Sequence, residues 1–399
     1  MLLLRDAKKT TVYRYPQVAT RRIRETCGHR PMKNPQIHQH SNPPQFNTDK
    51  SFSPSGSSIR GGRESGQALF ILLAFIIAIT IGFIFGFLSP SALAIVNDNK
   101  TAQALAQAKD ALIGWAISHP DKPGLLPYPD RDADGNYDGY SDCPLTLPSP
   151  PVSPALLLGR LPFIGEKSPC QNPQATINLD EVDGTGERLW YAVSGNLVRV
   201  QTGAPTIAAN LSDATTTGWL SVQDANGTVL SSLVAFVVLS PGAVVPGQDR
   251  SGPAPNATNY LDNFTVGGTT YSNWDVTLGF VRAEDTARVP AGSNQFNDQL
   301  LYVTRDEYRM AIARRVVGEV KKQLKLFATY PSPTADPTGK CSAPPPPSYL
   351  PIDPVTCGSN ALTGLPPWFI SDWESYVQYT RTGPNTAVLT IFGNNFAVP

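Results

Sequence analysis

The sequence predicts an α+β fold in which a long N-terminal helix, transmembrane and then amphipathic, packs on an antiparallel β-sheet domain with disulfide-pinned loops. Three observations carry that expectation. No residue from Gly66 to Leu88 is charged, and at ~1.5 Å per residue this run is long enough to cross a hydrocarbon core of ~30 Å. Leu105, Ala108, Leu112, Trp115 and Ala116 then recur at helical spacing. Beyond them, short β-type runs alternate with turn residues to the end of the chain, with four cysteines among them.

Residues 1–65 carry 12 Lys/Arg against 4 Asp/Glu and are rich in Pro, Asn, Ser and Arg. They read as a disordered basic leader, within which Met32 is an alternative start. Few aromatics interleave with the basic residues and no motif accompanies them, which argues against nucleic acid. Excess Lys/Arg beside an apolar run holds that end in the cytoplasm. The residues after 96, with 20 Lys/Arg against 28 Asp/Glu, therefore lie outside.

Residues 66–96 are expected to form the transmembrane helix, 97–119 its amphipathic continuation and 120–399 the exported α+β domain. Ala92-Leu93-Ala94 mimics a signal cleavage site, but the apolar run exceeds the usual core of a removable signal. Pro90 interrupts the run and Ser91 can cap what resumes; one continuous helix is the simplest reading. It should stop near His119-Pro120, because a residue before proline is pushed out of the α region.

Residues 120–190, rich in proline and glycine, read as irregular loops. Strands are expected at Leu189–Val193, at Trp219–Gln223 turning through Asn226-Gly227 into Thr228–Ser232, and at Val276–Val281. Leu233–Leu239 is almost wholly apolar, as in a strand buried on both faces. A final hairpin joins Tyr376–Thr380 to Ala387–Phe392. One more helix is marked by a capping box, Thr304 with Glu307, and by the stripe Tyr308, Ile312, Val316, Val320, Leu324 and Phe327. Arg309, Arg314, Arg315, Lys321, Lys322 and Lys325 lie on its other faces. The proline run 344–347 reads as a stiff spacer.

Cys27 stands alone on the cytoplasmic side, while Cys143, Cys170, Cys341 and Cys357 lie on the oxidising side. Of the three possible connectivities, Cys143–Cys170 and Cys341–Cys357 close the shortest loops, each worth roughly 3 kcal/mol in the chain-entropy picture. No CxxC occurs, so zinc is not indicated.

This architecture resembles type IV pilins and the pseudopilins of type II secretion. The stretches ALAQAKDALIGWAISHPDKPGLLPYPDRDADG, GERLWYAVS, VAFVVLSPGAVVPGQDR and LLYVTRDEYRMAIARRV also look like segments that recur in prepilin-like proteins of Gram-negative bacteria. The resemblance implies cleavage by a prepilin peptidase between Gly66 and Gln67, other pilin or pseudopilin subunits as partners, and an inner-membrane location with a periplasmic C-terminal domain. It also implies a role in assembly. Most major pilins carry a glutamate five residues after the cut. Here Ile71 stands there, as in K-type minor pseudopilins and some minor pilins.

The strongest local chemical signal is DRDADGNYD. Asp130, Asp132 and Asp134, the carbonyl of Asn136 and Asp138 match the opening of an EF-hand loop, with Gly135 for the sharp turn. Ser141 stands where the bidentate glutamate belongs, so a weak structural Ca2+ site is expected. His119 ends a helix, where a cationic cap suits the dipole better than a general base. Asp180, Glu181, Asp183 and Glu187 form an acidic group that reads as a polar hairpin, with paired-carboxylate hydrolysis as the sharper alternative. Trp368, Phe369, Trp373, Tyr376 and Tyr379 suit either the core of the last hairpin or a sugar-binding face. The sequence thus points to a minor pilin or pseudopilin subunit, not an enzyme, the alternative being an anchored periplasmic module that binds glycan.

Overall fold

The computed structural model describes residues 65–87, 90–132, 136–170, 177, 179, 182–252, 255–266, 268–282, 296–341 and 349–399. The basic leader with Cys27 and Met32, and the proline run 344–347, lie outside the described residues. The chain divides into two units, 1–71 and 72–399. The first contributes the opening of α1 and the second everything that follows.

Helix α1 covers Ser65–Phe87 and α2 covers Pro90–Ser118; residues 88–89 between them, through which the single helix expected over 66–119 would run, lie outside the described residues. Pro90 opens α2, where a missing N–H costs nothing because the first helical N–H groups have no intrahelical partner. As the sequence indicates, α2 stops before His119-Pro120. Among the described residues no helix is long and apolar enough to cross a membrane. The described side chains of α1 run from 69 to 80, about 18 Å of helix at ~1.5 Å per residue.

The central sheet holds β2 (Leu158–Arg160), β4 (Trp190–Val193), β5 (Leu220–Asp224), β6 (Val229–Ser240), β9 (Phe280–Arg282) and β10 (Gln299–Thr304). The two strands expected over 228–239 are one, the 12-residue β6. Its first half pairs with β5, and its second half is flanked by β4 and β10, all antiparallel. The sheet is not purely antiparallel, because β9 joins β5 in parallel. Only the end of the run expected at Val276–Val281 is strand: Asp275 accepts bonds from the backbone and hydroxyl of Thr277 and holds that stretch in a turn. Two small pairs, β1 (Tyr140–Ser141) with β3 (Gly165–Glu166) and β7 (Asn263–Val266) with β8 (Thr269–Ser272), flank it.

Both faces of the sheet are covered, which explains the apolar run in β6. On one face Ala235, Phe236 and Val238 meet the α2 stripe, Ala104, Leu105, Ala108, Leu112, Trp115 and Ala116, together with helix α5 (Arg305–Leu324). On the other, Val234, Val237 and Leu239 meet Trp190, Leu220, Phe280 and the Tyr260 end of the short helix α4 (Ala257–Tyr260), which follows another short helix, α3 (Ile207–Ser212). Helix α5 starts where expected, with Thr304 Oγ1 accepting from Glu307 N at 3.2 Å. The Glu307 side chain does not close the capping box; it reaches Lys109 of α2 at 2.5 Å and ties the two helices. The end of the chain forms a meander of β11 (Val377–Gly383), β12 (Thr386–Ile391) and β13 (Asn394–Val398), one strand more than the hairpin expected.

The disulfides are Cys143–Cys170 and Cys341–Cys357, the pairing with the shortest loops. Gly184 marks the tightest contact between loop and helix. A Cβ there would lie 2.0 Å from the Asn97 carbonyl oxygen of α2, against backbone that cannot swing away. Gly184→Ala is expected to lower the thermal midpoint markedly, and Gly186→Ala, which meets no heavy atom but sits at φ 92°, to cost only about 1 kcal/mol. Thermal unfolding of the two variants side by side checks this.

Candidate functional site

The feature most in need of a partner is α1. Its sequence is apolar on every face and carries no charge. Every described side chain from Leu69 to Thr80 is exposed, including Leu72 at 60%, Phe75 at 66% and Ile79 at 65%. The exposed apolar surface continues into the start of α2 with Leu93, Ile95 and Val96. A helix that is apolar all round belongs in an apolar surrounding; a monomer in water would present this one bare. Gly66 and Gln67 fall in the first turn of α1, and their side chains lie outside the described residues.

The acidic loop is held by protein groups. Asp130 is fully buried, and its Oδ2 accepts from Gly139 N at 2.8 Å and faces Arg188 at 3.4 Å. Burial pushes its carboxyl up to about 7, against the pull of the Gly139 N–H and of Arg188. Desolvation pushes the Asp138 carboxyl up, but its pairing with Lys167 at 2.8 Å and the bond it accepts from Tyr140 N outweigh that and hold it below the usual range. Asp132 and Asn136 are exposed, and Asp134 lies outside the described residues. Among the described residues no three His, Cys, Asp or Glu side chains gather as metal ligands do. An EF-hand loop spaces its ligands in sequence; here lysine and arginine from other segments have reached two of the carboxyl groups.

Of the second acidic group, Asp180 and Glu181 lie outside the described residues. Asp183 is fully buried, with Oδ1 accepting from Thr185 N, Thr185 Oγ1 and Glu187 N, and Oδ2 from Ser240 Oγ and Gly242 N. A carboxyl group with five donors has no lone pair left for a substrate. Glu187 sits between two arginines, 3.9 Å from Arg160 and 3.5 Å from Arg250. The pair is a clamp between loop and sheet, not a hydrolytic dyad.

Sequence reasoning missed Arg160. Its guanidinium carbon lies 4.5 Å from the Trp190 ring centroid and 4.3 Å from that of Tyr260, and Nη1 donates to the Arg188 carbonyl. Desolvation brings its pKa down to about 10. Arg250 lies over the same Tyr260 ring at 4.8 Å. Cation–π stacking of this kind needs rings that the fold supplies from separate segments, so no local motif announces it.

His119 caps α2, but as a neutral acceptor. It is fully buried, and Nδ1 accepts from Asp121 N at 3.3 Å and Lys122 N at 3.0 Å. Burial, aided by Arg199, lowers its pKa to about 4, which corrects the expected cationic cap. The C-terminal aromatics are core: Trp368, Phe369, Trp373 and Tyr379 are at most 5% exposed. Tyr376 packs partly buried against Phe392. They leave no open sugar-binding face.

No protein-family model matches the chain, and no curated protein or solved structure matches it.

Proposed function

We propose that this chain is a minor pilin- or pseudopilin-like subunit, anchored in an inner membrane by α1 with its α+β domain on the periplasmic side. Its role is assembly rather than catalysis. The observation that supports this reading most is the all-round exposure of apolar side chains along α1. Lipid covers such a helix before assembly, and the helices of other subunits cover it afterwards. The covered face of α2 leaves the folded domain stable whichever of these surrounds α1.

The test is the intact mass and N-terminal sequence of the chain extracted from membranes, with and without a co-expressed prepilin peptidase. A mature chain beginning at Gln67, N-methylated, is the expected result. A chain that keeps its leader in both cases would make α1 a permanent anchor and overturn the reading.

Calcium in the 130–138 loop belongs to the same proposal as a stabilising ion. Asp132, Asp134, Asp138 and the Asn136 carbonyl would hold it, with Asp138 released from Lys167. Calorimetric titration is expected to give weak binding, ~10⁻⁴–10⁻³ M. Lys167→Gln should tighten it, and a flat titration of both forms would remove the ion.

A further inference from the structure

The residues that follow β6, 241–247, read PGAVVPG and carry no polar side chain. Among them Val244 is 56% exposed, and Ala243, Pro246 and Gly247 are exposed as well. The loop heads towards the start of α2, because β6 runs antiparallel to that helix. Ser240 pairs with Gln299, whose amide donates to Asp98 near the start of α2. Val234 pairs with Thr304, the cap of α5, whose Glu307 meets Lys109 further along α2. The chain that leaves Ser240 therefore runs on past Asn97. Beyond Asn97 in that direction lie Leu93, Ile95 and Val96, all exposed. Asp98 is the first charged residue after Glu64, so the loop arrives where the apolar surface of the anchoring segment ends.

The loop is also built to lose water. Its polar groups are backbone, and the fold meets them from within. Asp183 Oδ2 accepts from Gly242 N. Arg250 donates to the carbonyls of Pro241 at 3.2 Å and Gly242 at 2.8 Å, and Asn297 Nδ2 donates to that of Ala243 at 2.6 Å. Gln248 accepts from Val245 N through Oε1, and its own N–H donates to the Val245 carbonyl. Backbone groups satisfied in this way can enter a poorly hydrated layer at little cost. The exposed Asp249, whose Oδ1 accepts from Ser251, follows at once and stays in water, which keeps the contact shallow. Val229, 59% exposed, opens β6 at the opposite end and has polar company in Asn226, Thr228, Ser231 and Ser232. At ~3.3 Å per residue it stands about 36 Å from Ser240.

We propose that loop 241–247 is a second membrane contact, with Val244 seated in the headgroup region of the bilayer that holds α1, beside Leu93, Ile95 and Val96. This rests on the anchoring role proposed for α1. Lipid is the occupant because the loop continues an apolar surface already assigned to lipid and offers no polar side chain for a specific partner to recognise. Held by the helix and by the loop, the domain keeps one attitude to the membrane instead of swinging on α2.

The experiment places a fluorophore on single cysteines, Val244→Cys, Val229→Cys and Ile76→Cys, each in the full chain with Cys27→Ser and both disulfides intact. The chains are reconstituted at low density in phosphatidylcholine vesicles carrying a nitroxide either on the headgroup or deep in the acyl chain. The headgroup nitroxide should quench the probe at 244 several-fold more than the probe at 229, and the acyl nitroxide should quench the probe at 76 most. Quenching at 76, with 244 no different from 229, overturns the loop contact and leaves the anchor in place. No quenching at 76 overturns the anchor, and the loop contact with it. Chains that cross-link to one another through residue 244 instead of being quenched would show a second copy on the loop and overturn the contact with lipid. With the probe moved to Ala243→Cys, Val244→Asp should abolish the headgroup quenching. Unchanged quenching would mean that the fluorophore, not Val244, draws the loop to the bilayer, and would equally overturn the proposal.

Discussion

Asp183→Ala is expected to be among the most damaging single changes in the domain. The Asp183 carboxyl group accepts five hydrogen bonds, the shortest two at 2.7 Å, from Thr185 Oγ1 and from the buried Ser240 Oγ at the end of β6. Removing it strands buried donors on two segments at once, at about 1–3 kcal/mol for each one left unsatisfied. Some are recovered by water at the exposed Thr185, so the net loss should be about 3–5 kcal/mol. The next residue, Gly184, donates its N–H to Thr101 of α2 at 2.9 Å. The turn 183–187 therefore fastens α2 to the sheet, and the damage should spread to the helix. Chemical denaturation followed by tryptophan fluorescence measures the loss. Ser240→Ala, which deletes one of the five donors, should lose only about 1 kcal/mol. Equal losses in the two variants would mean that Asp183 acts through that one bond.

Glu166→Gln is expected to stabilise the protein in alkali and to leave it almost unchanged in acid. Glu166 is 5% exposed with Oε2 unpartnered, and desolvation pushes its pKa from 4.5 to about 8. The folded state thus holds a proton that the unfolded state releases near pH 4.5. Stability from this group is fully present below that value, declines as pH rises, and is gone above about pH 8. A shift of this size corresponds to about 3–5 kcal/mol at ~1.4 kcal/mol per unit. Asp298, buried and facing Asp262, is raised by the same cause and acts in the same direction. His119 acts in the opposite direction: its lowered pKa makes stability fall as pH drops from 6.5 towards 4. Thermal midpoints of the parent chain and Glu166→Gln from pH 5 to pH 9 should meet at the acid end and diverge upward. Parallel curves would show that Glu166 is already ionised in the fold.

The elements legible in the sequence were those whose signal is local. The stripe of α2 was visible because Leu105, Ala108 and Leu112 alternate with polar residues. The Thr304 cap of α5 was visible because cap and helix adjoin. The apolar β6 showed its burial on both faces, although a turn-like Ser231-Ser232 disguised its continuity with the strand before it. Strand β10 was missed because Gln299–Thr304 runs without a break into the helix cap, and β7–β8 because its residues are mostly polar. At the candidate sites the sequence showed which groups can ionise but not their surroundings. His119 looked like a cation until burial made it neutral. The Asp130 and Asp138 pattern looked like a calcium loop, and arginine and lysine from distant segments met it. Arg160, Trp190 and Tyr260 lie too far apart in the chain for any spacing rule to join them.

The long strand β6 also sets an order of events. Among the described residues it is the one strand bonded to β4, β5 and β10 together, and the face that receives α2 is completed by β10 and α5, which come from residues 299–324. As the chain grows from its N-terminus, the apolar stripe of α2 is made early and is only partly covered, by β6, until β10 and α5 arrive. A nascent chain stopped before residue 299 has β6 but neither β10 nor α5 to cover the α2 stripe, so quality-control factors that grip exposed apolar segments should bind the shortened chain and release the full one.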